Sequence, residues 1–333
     1  MINYSFSSER ETSPPTNVIN QMNQSLSAAL SYSERSGYGW SLISSMSDVL
    51  DCSGTMAGVE QNKISQQVAK YSEQIESIYL TIEPVEGLLD VNELINSIGS
   101  SACKRIFISH STQVSDDTST VFRRWANDWS GCVFYLPYNL IAGDLASGVN
   151  TAQHYNRPWV SAICAGNLSG QKLPLDSLTN EFGFTAHIAE QVSHSRAIIY
   201  TVSESSLLAC LPKDNKVGET IPTYGLNSAS DIHSILTYLL KEGRYNVVLL
   251  CDLHSLASYV ELGKIDEIIY HFSTQKGVNL HDSRYHDNQS VLDISDWATV
   301  SSTLVGECSR VVYLNRAKYT EVKNHTLLQS RLN

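Results

Sequence analysis

The sequence predicts a two-domain α/β protein, and three observations lead to this prediction. Runs rich in β-branched and apolar residues alternate with helical stretches along most of the chain, the order typical of a parallel or mixed sheet covered by helices. The alternation is interrupted at Asn156-Arg157-Pro158, where proline ends a helix and favours an extended start to the next segment. The length of 333 residues, of which 42% are hydrophobic and 17% charged, suits two cores of about 150 residues each.

The composition argues against several classes of function. The chain has 23 Lys and Arg against 34 Asp and Glu, a net charge of −11, and no basic run that would bind a phosphate backbone, so we expect no nucleic-acid partner. It has no window of about 20 apolar residues and no secretory signal, so we expect a cytoplasmic protein without membrane contact. The seven cysteines form no CxxC pair, which favours buried thiols over a zinc knuckle or a disulfide framework.

The first predicted domain covers residues 16–150 and follows a polar, flexible leader of residues 1–15. Apolar residues recur at helical spacing from Asn17 to about Ser36, which predicts a long opening helix that Gly37 and Gly39 end. Alternating strands and helices follow. The predicted strands are Trp40–Ser44, Ile78–Glu83, Arg105–Ser109 and Cys132–Leu136. The predicted helices are Gln61–Ile75, Asp90–Ile98, Thr118–Trp129 and Ile141–Tyr155.

The second predicted domain covers residues 156–325 and repeats the alternation. Its predicted strands are Trp159–Cys164, Ala197–Val202, Asn246–Cys251, Glu267–Phe272 and Arg310–Leu314. The clearest helix is Ser230–Glu242, which ends at Gly243 as a left-handed cap, and Ser255–Leu262 with Gly263 gives a second, shorter one. The polar, His-rich residues 276–290 show no periodicity and predict a loop.

Several ordered segments resemble the bifunctional pyrimidine deaminase/reductase family of riboflavin biosynthesis. The matching segments are Ile78 to Pro84, Ile95 to Ser109, Gly148-Val149-Asn150 leading to Arg157-Pro158-Trp159-Val160, and Leu256 to Ile268. Together they place the likeness over roughly residues 25–315. The resemblance implies a cytidine-deaminase-like three-layer domain followed by a dihydrofolate-reductase-like α/β domain. It also implies a homodimer formed through the second domain.

The zinc-binding pattern of that family is replaced in this chain. A zinc deaminase of this type needs a His and two Cys as ligands and a Glu that moves protons. Glu60-Gln61-Asn62 stands where the family has His-Ala-Glu. Pro84-Val85-Glu86-Gly87-Leu88-Leu89 stands where the family has its two cysteines. We therefore expect no zinc and no deamination by this mechanism.

The reductase pattern is altered as well. The changed positions are Ile163 for a Lys, Asn167-Leu168-Ser169-Gly170 for Ser-Leu-Asp-Gly, Cys210-Leu211-Pro212 for Asp-Asp-Pro, and Cys251-Asp252-Leu253 for Glu-Gly-Gly. Glycines at the last position let backbone amides approach the cofactor phosphates. Two side chains and a negative charge there disfavour a dinucleotide, so we expect no cofactor. NADPH in a rearranged site is the alternative.

Six residues are candidates for contact with a ligand. In the second domain they are Asn167 and Ser169, at the altered turn, and the Asp252/His254 pair, which an N-cap with a surface histidine would also explain. In the first domain Glu83 ends a predicted strand, at a position that the resemblance places beside the deaminase pocket. His110 follows the next predicted strand, where α/β folds place ligands. A strand-end carboxylate satisfied by backbone amides or solvent is the alternative for Glu83.

Two polar segments are weaker candidates. Asp116 and Asp117 follow the same strand as His110, and nothing in their spacing requires a cleft. The pairs His281-Asp282 and His286-Asp287 offer metal ligands within seven residues, although solvated loops also collect such residues.

Three functional hypotheses remain open. The first is a pseudoenzyme that binds a pyrimidine, a flavin precursor or similar small heterocycle, or a protein partner. The second is an NADPH-dependent reductase, or a new activity, acting on a riboflavin-pathway or related heterocyclic substrate. The third is an assembly role in which one half only holds a dimer. The pattern Gly-x-Ser-x-Gly is absent, so serine hydrolase chemistry has no support.

Overall fold

A computed structural model describes residues 14–111, 120–136, 139–167, 172–173, 175–179, 183–273, 296–305 and 308–315. The chain divides into two compact units between Asn156 and Arg157. The leader up to residue 13 and the predicted loop of residues 276–290 lie outside the described residues. In the part of the chain that is described, no helix has the length and apolar character needed to cross a membrane.

The first unit contains one mixed sheet and five described helices. The helices are α1 (Thr16–Leu30), α2 (Lys63–Lys70), α3 (Val91–Gly99), α4 (Val121–Asp128) and α5 (Leu140–Tyr155). The strands are β1 (Gly37–Ser44), β2 (Val49–Met56), β3 (Ile75–Ile82), β4 (Arg105–His110) and β5 (Cys132–Tyr135). They lie in the order β2-β1-β3-β4-β5, and β3, β4 and β5 run parallel. Helix α1 contacts α5, whereas α3 contacts α2 and α4.

The opening helix is shorter than the sequence predicted, and Gly37 and Gly39 do not end it. Helix α1 stops at Leu30, and both glycines lie inside β1. A Cβ atom at Gly39 would stand 2.1 Å from the carbonyl oxygen of Ser25, and one at Gly37 would stand 2.4 Å from that of Ala29. The glycines therefore allow the backbone of α1 to approach the strand closely.

The second unit is built on an eight-stranded sheet. Its strands are β6 (Trp159–Asn167), β7 (Lys172–Leu173), β8 (Ile198–Thr201), β9 (Thr223–Leu226), β10 (Asn246–Leu250), β11 (Glu267–Ser273), β12 (Trp297–Val305) and β13 (Cys308–Asn315). The order is β12-β13-β11-β6-β10-β8-β9, with β7 on β6. Strands β9, β8, β10, β6 and β11 are parallel, and β13 is antiparallel to both β11 and β12.

Helices cover both faces of this sheet. They are α6 (Phe184–Ser193), α7 (Asp231–Lys241) and α8 (Leu253–Glu261), with 3₁₀ helices at Leu175–Leu178 and Val202–Cys210. The predicted left-handed caps are confirmed, since Gly243 has a φ of 67° and Gly263 a φ of 64°. Alternate residues of β6 enter different cores: Ala162 packs with α7 and α8, and Ile163 packs with α6. The central strands are therefore buried on both faces.

A buried ion pair between Arg157 and Asp266 links the start of the second unit to a neighbouring strand. Arg157 Nη1 and Nη2 donate to the Asp266 carboxylate at 2.6 and 2.8 Å. The backbone N–H of Val160 donates to the same carboxylate at 2.8 Å. Because Asp266 directly precedes β11, this pair ties the first residues of β6 to the neighbouring strand.

Three strands that the sequence did not predict lie at sheet edges. Strand β2 forms one edge of the first sheet, and β9 and β12 form the two edges of the second. Their residues are largely exposed or half-buried, as in β12, where only Trp297 is buried. An edge strand needs fewer apolar residues, so its hydrophobic pattern is weak. The sequence also failed to predict helix α6 and the two-residue strand β7.

Candidate ligand sites at the strand ends

In the first unit Glu83 follows β3 and is held by an arginine. The Glu83 side chain is fully buried, and Arg123 of α4 donates from Nε and Nη2 to its two oxygens, each at 2.6 Å. Hydroxyl groups of Ser111 and Thr120 donate to the same carboxylate at 3.1 and 3.4 Å. These bonds raise the pKa of the Arg123 guanidinium. The carboxylate is therefore saturated by partners within the unit.

His110 lies at the same edge of the first sheet. It ends β4, its carbonyl oxygen accepts from the Glu83 N–H at 2.8 Å, and its side chain is nearly buried. Its Nε2 is 3.4 Å from Nδ2 of Asn150 on α5, and the Oδ1 of Asn150 is buried without a hydrogen-bond partner. Asp116 and Asp117 lie outside the described residues.

The positions that carry zinc ligands in the resembled family do not form a metal site here. Glu60 pairs with Lys63 at 2.7 Å, and Asn62 is the residue at the N-cap position of α2. Val85, Leu88 and Leu89 are buried in the core. Among the residues that the structure describes, no three His, Cys, Asp or Glu side chains converge in a way that would hold a metal ion. The positions hold no His or Cys, and a Glu60 carboxylate paired with Lys63 does not supply the three or four protein ligands that zinc needs.

In the second unit Asp252 follows β10 and caps α8. Its Oδ1 accepts from the N–H groups of His254 and Ser255 at 2.9 and 3.0 Å, and its Oδ2 accepts from the hydroxyls of Ser255 and Ser203 at 2.8 and 3.2 Å. Burial by itself raises the pKa of Asp252, but these hydrogen bonds outweigh it and lower the pKa. The His254 side chain is exposed.

This cap bears directly on dinucleotide binding. The N–H groups at the start of α8 are those that would face a cofactor phosphate in the resembled family. Two of them, on His254 and Ser255, already donate to Asp252. Because the bound group would be an anion beside a carboxylate, these residues do not fit a pyrophosphate in that pose.

Glu204 is a candidate that the sequence analysis missed. It lies on the 3₁₀ helix that follows β8, next to Ser203, and it is fully buried. Its Oε2 accepts from the N–H of Leu175 at 3.0 Å, and its Oε1 has no hydrogen-bond partner. The pKa of Glu204 is raised to about 7, chiefly by burial and also by the negative charges of Asp176 and Asp252, while the hydrogen bond from Leu175 lowers it.

Glu204 could have been located in the sequence by the same feature that located Asp252, a position shortly after a predicted strand. Both residues come shortly after a buried parallel strand, and β8 and β10 are neighbours in the sheet. The Ser203 hydroxyl joins the two strand ends because it donates to Asp252. The strand ends therefore gather one ionised carboxylate and one carboxyl group that is protonated in part at neutral pH.

Most of the remaining predicted positions in this unit lie outside the described residues. Asn167 is the last residue of β6, opposite Ser273 of β11, and its side chain lies outside the described residues. Ser169 lies outside them entirely, as do His281, Asp282, His286 and Asp287. Ile163, at the position of the family lysine, is buried in the core.

Comparison with known proteins establishes the fold. No family model and no curated protein matches the chain. The RibD protein of Acinetobacter baumannii is similar in structure, with a TM-score of 0.64 at 13% identity over 90% of this chain and 99% of that one. The diaminohydroxyphosphoribosylaminopyrimidine deaminase/5-amino-6-(5-phosphoribosylamino)uracil reductase of Thermotoga maritima matches over the same shares, with a TM-score of 0.64 at 14% identity. The chain has the deaminase/reductase fold.

The predicted fold class is thereby confirmed. A cytidine-deaminase-like domain is followed by a dihydrofolate-reductase-like domain, and the deaminase/reductase likeness spans both. At 13–14% identity it concerns the fold alone. The chemistry must therefore be argued from this chain's own strand ends.

Proposed function

We propose that this chain is a deaminase/reductase-fold pseudoenzyme that binds a pyrimidine-like or flavin-precursor-like heterocycle at the carboxyl ends of β8 and β10. The observation that carries the proposal is the fully buried Glu204, whose Oε1 has no hydrogen-bond partner. Open α/β sheets bind their ligands at the carboxyl ends of strands. A buried polar atom without a partner costs about 1–3 kcal/mol, which a ligand that bonds to it would recover.

The chemistry of the pair suits a lactam-type ring. A carboxyl group with a pKa of about 7 is protonated in part at neutral pH, and it then offers one donor and one acceptor. Heterocycles with adjacent N–H and C=O groups present the complementary pattern. The neighbouring Asp252 has a lowered pKa and stays ionised, so it only accepts. Its oxygens already accept four hydrogen bonds from His254, Ser255 and Ser203, so Glu204 is the carboxyl group that bonds to the ring, and Asp252 contributes a negative charge nearby.

Two arrangements support the loss of the reactions implied by the fold. The Glu83 carboxylate is saturated by Arg123, Ser111 and Thr120, and the positions of the zinc ligands hold no His or Cys. The N–H groups at the start of α8 are occupied by the Asp252 side chain. On this proposal the first unit acts as a scaffold.

We further propose that the protein is a cytoplasmic homodimer joined through the second unit. The support is the edge strand β12, on which Leu304 is 77% exposed and Val300 is 39% exposed. An exposed edge strand with apolar side chains favours pairing with a second copy. Light scattering of the wild type and of Leu304→Asp tests this, and a wild-type monomer would contradict it.

Titration calorimetry of the full chain tests ligand binding. The probes are uracil, 5-aminouracil, lumazine, riboflavin and NADPH. We expect saturable 1:1 binding of a heterocycle, weakened about tenfold or more in Glu204→Ala. Glu261→Gln, an exposed carboxylate on α8, is the matched control and should bind as the wild type does.

Two outcomes would contradict the proposal. Tight, saturable binding of NADPH with turnover of a heterocycle would make the chain a reductase with a rearranged site. Failure of every heterocycle to bind would leave binding of a protein partner or an assembly role in a dimer as the better explanation.

A further inference from the structure

A group of buried nitrogen atoms without hydrogen-bond partners lies on the α6 face of the second sheet. His271 of β11 is fully buried, and neither Nδ1 nor Nε2 has a partner. The Nε2 of His187 on α6 and the Nε of Arg310 on β13 are also buried and without partners. Native proteins leave few such atoms, so their concentration at one place needs an explanation.

Strand alternation and ring contacts bring the three side chains together. His271 and Arg310 are directly opposite in the antiparallel pair of β11 and β13, so their side chains share a face. Ile269 and Val312, two residues away on each strand, pack in the α6 core, which identifies that face. The His187 ring centroid is 5.4 Å from that of His271. The cluster therefore joins α6, β11 and β13.

Among the described residues, an aromatic ring lies beside His271, and one carboxylate, that of Glu190, acts at His187. The Phe184 ring meets His271 edge-on at 5.1 Å between centroids. His271 is fully buried, whereas His187 and Arg310 are half-buried. The cluster therefore combines one fully buried histidine with two residues that keep part of their surface exposed.

The charges of the cluster favour an anion over a cation. Burial, with a contribution from the positive charge of Arg310, lowers the pKa of His187 to about 4 and that of His271 to about 3. Glu190 on α6 acts in the opposite direction at His187. Both imidazoles are therefore neutral at pH 7, and each has one N–H to donate. Arg310 only donates, and the described residues offer no third metal-ligating side chain.

We propose that His187, His271 and Arg310 form a binding site for one oxyanion, of the kind that inorganic phosphate or a phosphate monoester supplies. The anion accepts from Arg310 Nε–H and from the imidazole N–H groups, which gives the orphaned donors their partners. Its negative charge also favours a protonated imidazole, so the site takes up protons when it fills. This site is separate in its residues from the heterocycle site at Glu204 and does not depend on it.

Calorimetry and NMR of the full chain in phosphate-free buffer test the proposal. Inorganic phosphate, ribose 5-phosphate and acetate are titrated at constant ionic strength in two buffers that differ in ionisation enthalpy. We expect saturable 1:1 phosphate binding with net proton uptake. The ¹³Cε1 and ¹⁵N imidazole signals of His187 and His271 should shift towards the protonated form. Tighter binding of ribose 5-phosphate identifies the anion as part of a larger ligand, and equal binding identifies a free anion.

Variants assign the binding to the cluster. Arg310→Gln and His271→Phe should each weaken phosphate binding about tenfold or more, because each removes a donor. His233→Ala, an exposed histidine on α7, is the matched control and should bind as the wild type does. Arg310→Gln changes only a half-buried side chain, so it remains informative if His271→Phe fails to fold.

Two results would overturn the proposal. One is the absence of saturable binding with unshifted imidazole signals, which would make ordered water the partner of these nitrogen atoms. The other is binding that Arg310→Gln leaves unchanged, which would show an adventitious ion only.

Discussion

Glu83 and Arg123 face each other at the carboxyl edge of the first sheet, 40 residues apart in the chain and joined by two hydrogen bonds of 2.6 Å. The carboxylate is fully buried, and the guanidinium side chain is 23% exposed. In many α/β proteins this end of the strands holds a reactive site. Here an internal ion pair occupies the carboxylate that such a site would use.

Removal of one partner of this pair should be costly. Arg123→Leu leaves a buried carboxylate without its counter-ion and should lower the free energy of unfolding by about 3–5 kcal/mol. The double variant Glu83→Leu/Arg123→Leu should recover most of that loss, because it leaves no unpaired charge. Urea unfolding at pH 7 measures both values. A loss below about 1 kcal/mol in Arg123→Leu would show that the pair contributes little.

Glu204 should make the protein less stable as the pH rises. Its pKa of about 7 in the folded state lies above its ordinary value of 4.5, so the folded state binds more protons between those two pH values. Stability should therefore fall between pH 4.5 and pH 7, by at most about 1.4 kcal/mol for each pH unit. Glu204→Gln should remove this fall and be the more stable protein at pH 8. Urea unfolding across the pH range measures the difference, and parallel curves for the two proteins would contradict the assignment.

The buried histidines should act in the opposite sense, on the acid side. Their pKa values, about 4 for His187 and about 3 for His271, lie below the ordinary value of 6.5, so the unfolded state binds more protons in that window. Stability is fully present above pH 6.5 and should be lost as the pH falls through the folded-state values. His271→Phe should reduce the slope by about 1.4 kcal/mol per pH unit, the contribution of one proton. Thermal unfolding in phosphate-free buffer measures this, and His233→Ala should keep the wild-type slope.

Gly39 should not tolerate a side chain. An added Cβ would stand 2.1 Å from the Ser25 carbonyl oxygen, so Gly39→Ala must push α1 away from β1. We expect a loss of at least about 3 kcal/mol, the upper range for overpacking. Gly99→Ala is the control, because nothing lies within 4 Å of its added Cβ. Denaturant unfolding of both variants tests the difference, and equal stabilities would argue against the close approach of the helix.

The sequence was most informative where a local pattern determines a local structure. The apolar run Asn246–Leu250 is a buried parallel strand, and Asp252 caps the helix that follows, as predicted. Both features depend on neighbours within a few residues, so a single sequence is enough to show them. The role of Gly39 was assigned wrongly because a glycine near a helix end and a glycine under a helix look the same in the sequence.

Glu204 shows what the strand-end rule alone leaves out. Its position after β8 is visible in the sequence, but its free Oε1 and its raised pKa depend on burial by the segment around Leu175 and on the charges of Asp176 and Asp252. These groups come from separate segments of the chain. Burial and long-range charge are properties of the packed molecule, so the hydrophobic periodicity of the sequence does not predict them.

The sequence by itself determined the α/β class and most of the central strands and helices. The tertiary structure alone decided which polar groups became partners, such as Glu83 with Arg123, and which were left without any, such as the two nitrogen atoms of His271. The physical reason is the distance along the chain between the residues that interact. Secondary structure follows from contacts a few residues apart, whereas the partner and the protonation state of a buried side chain depend on segments that only folding brings together.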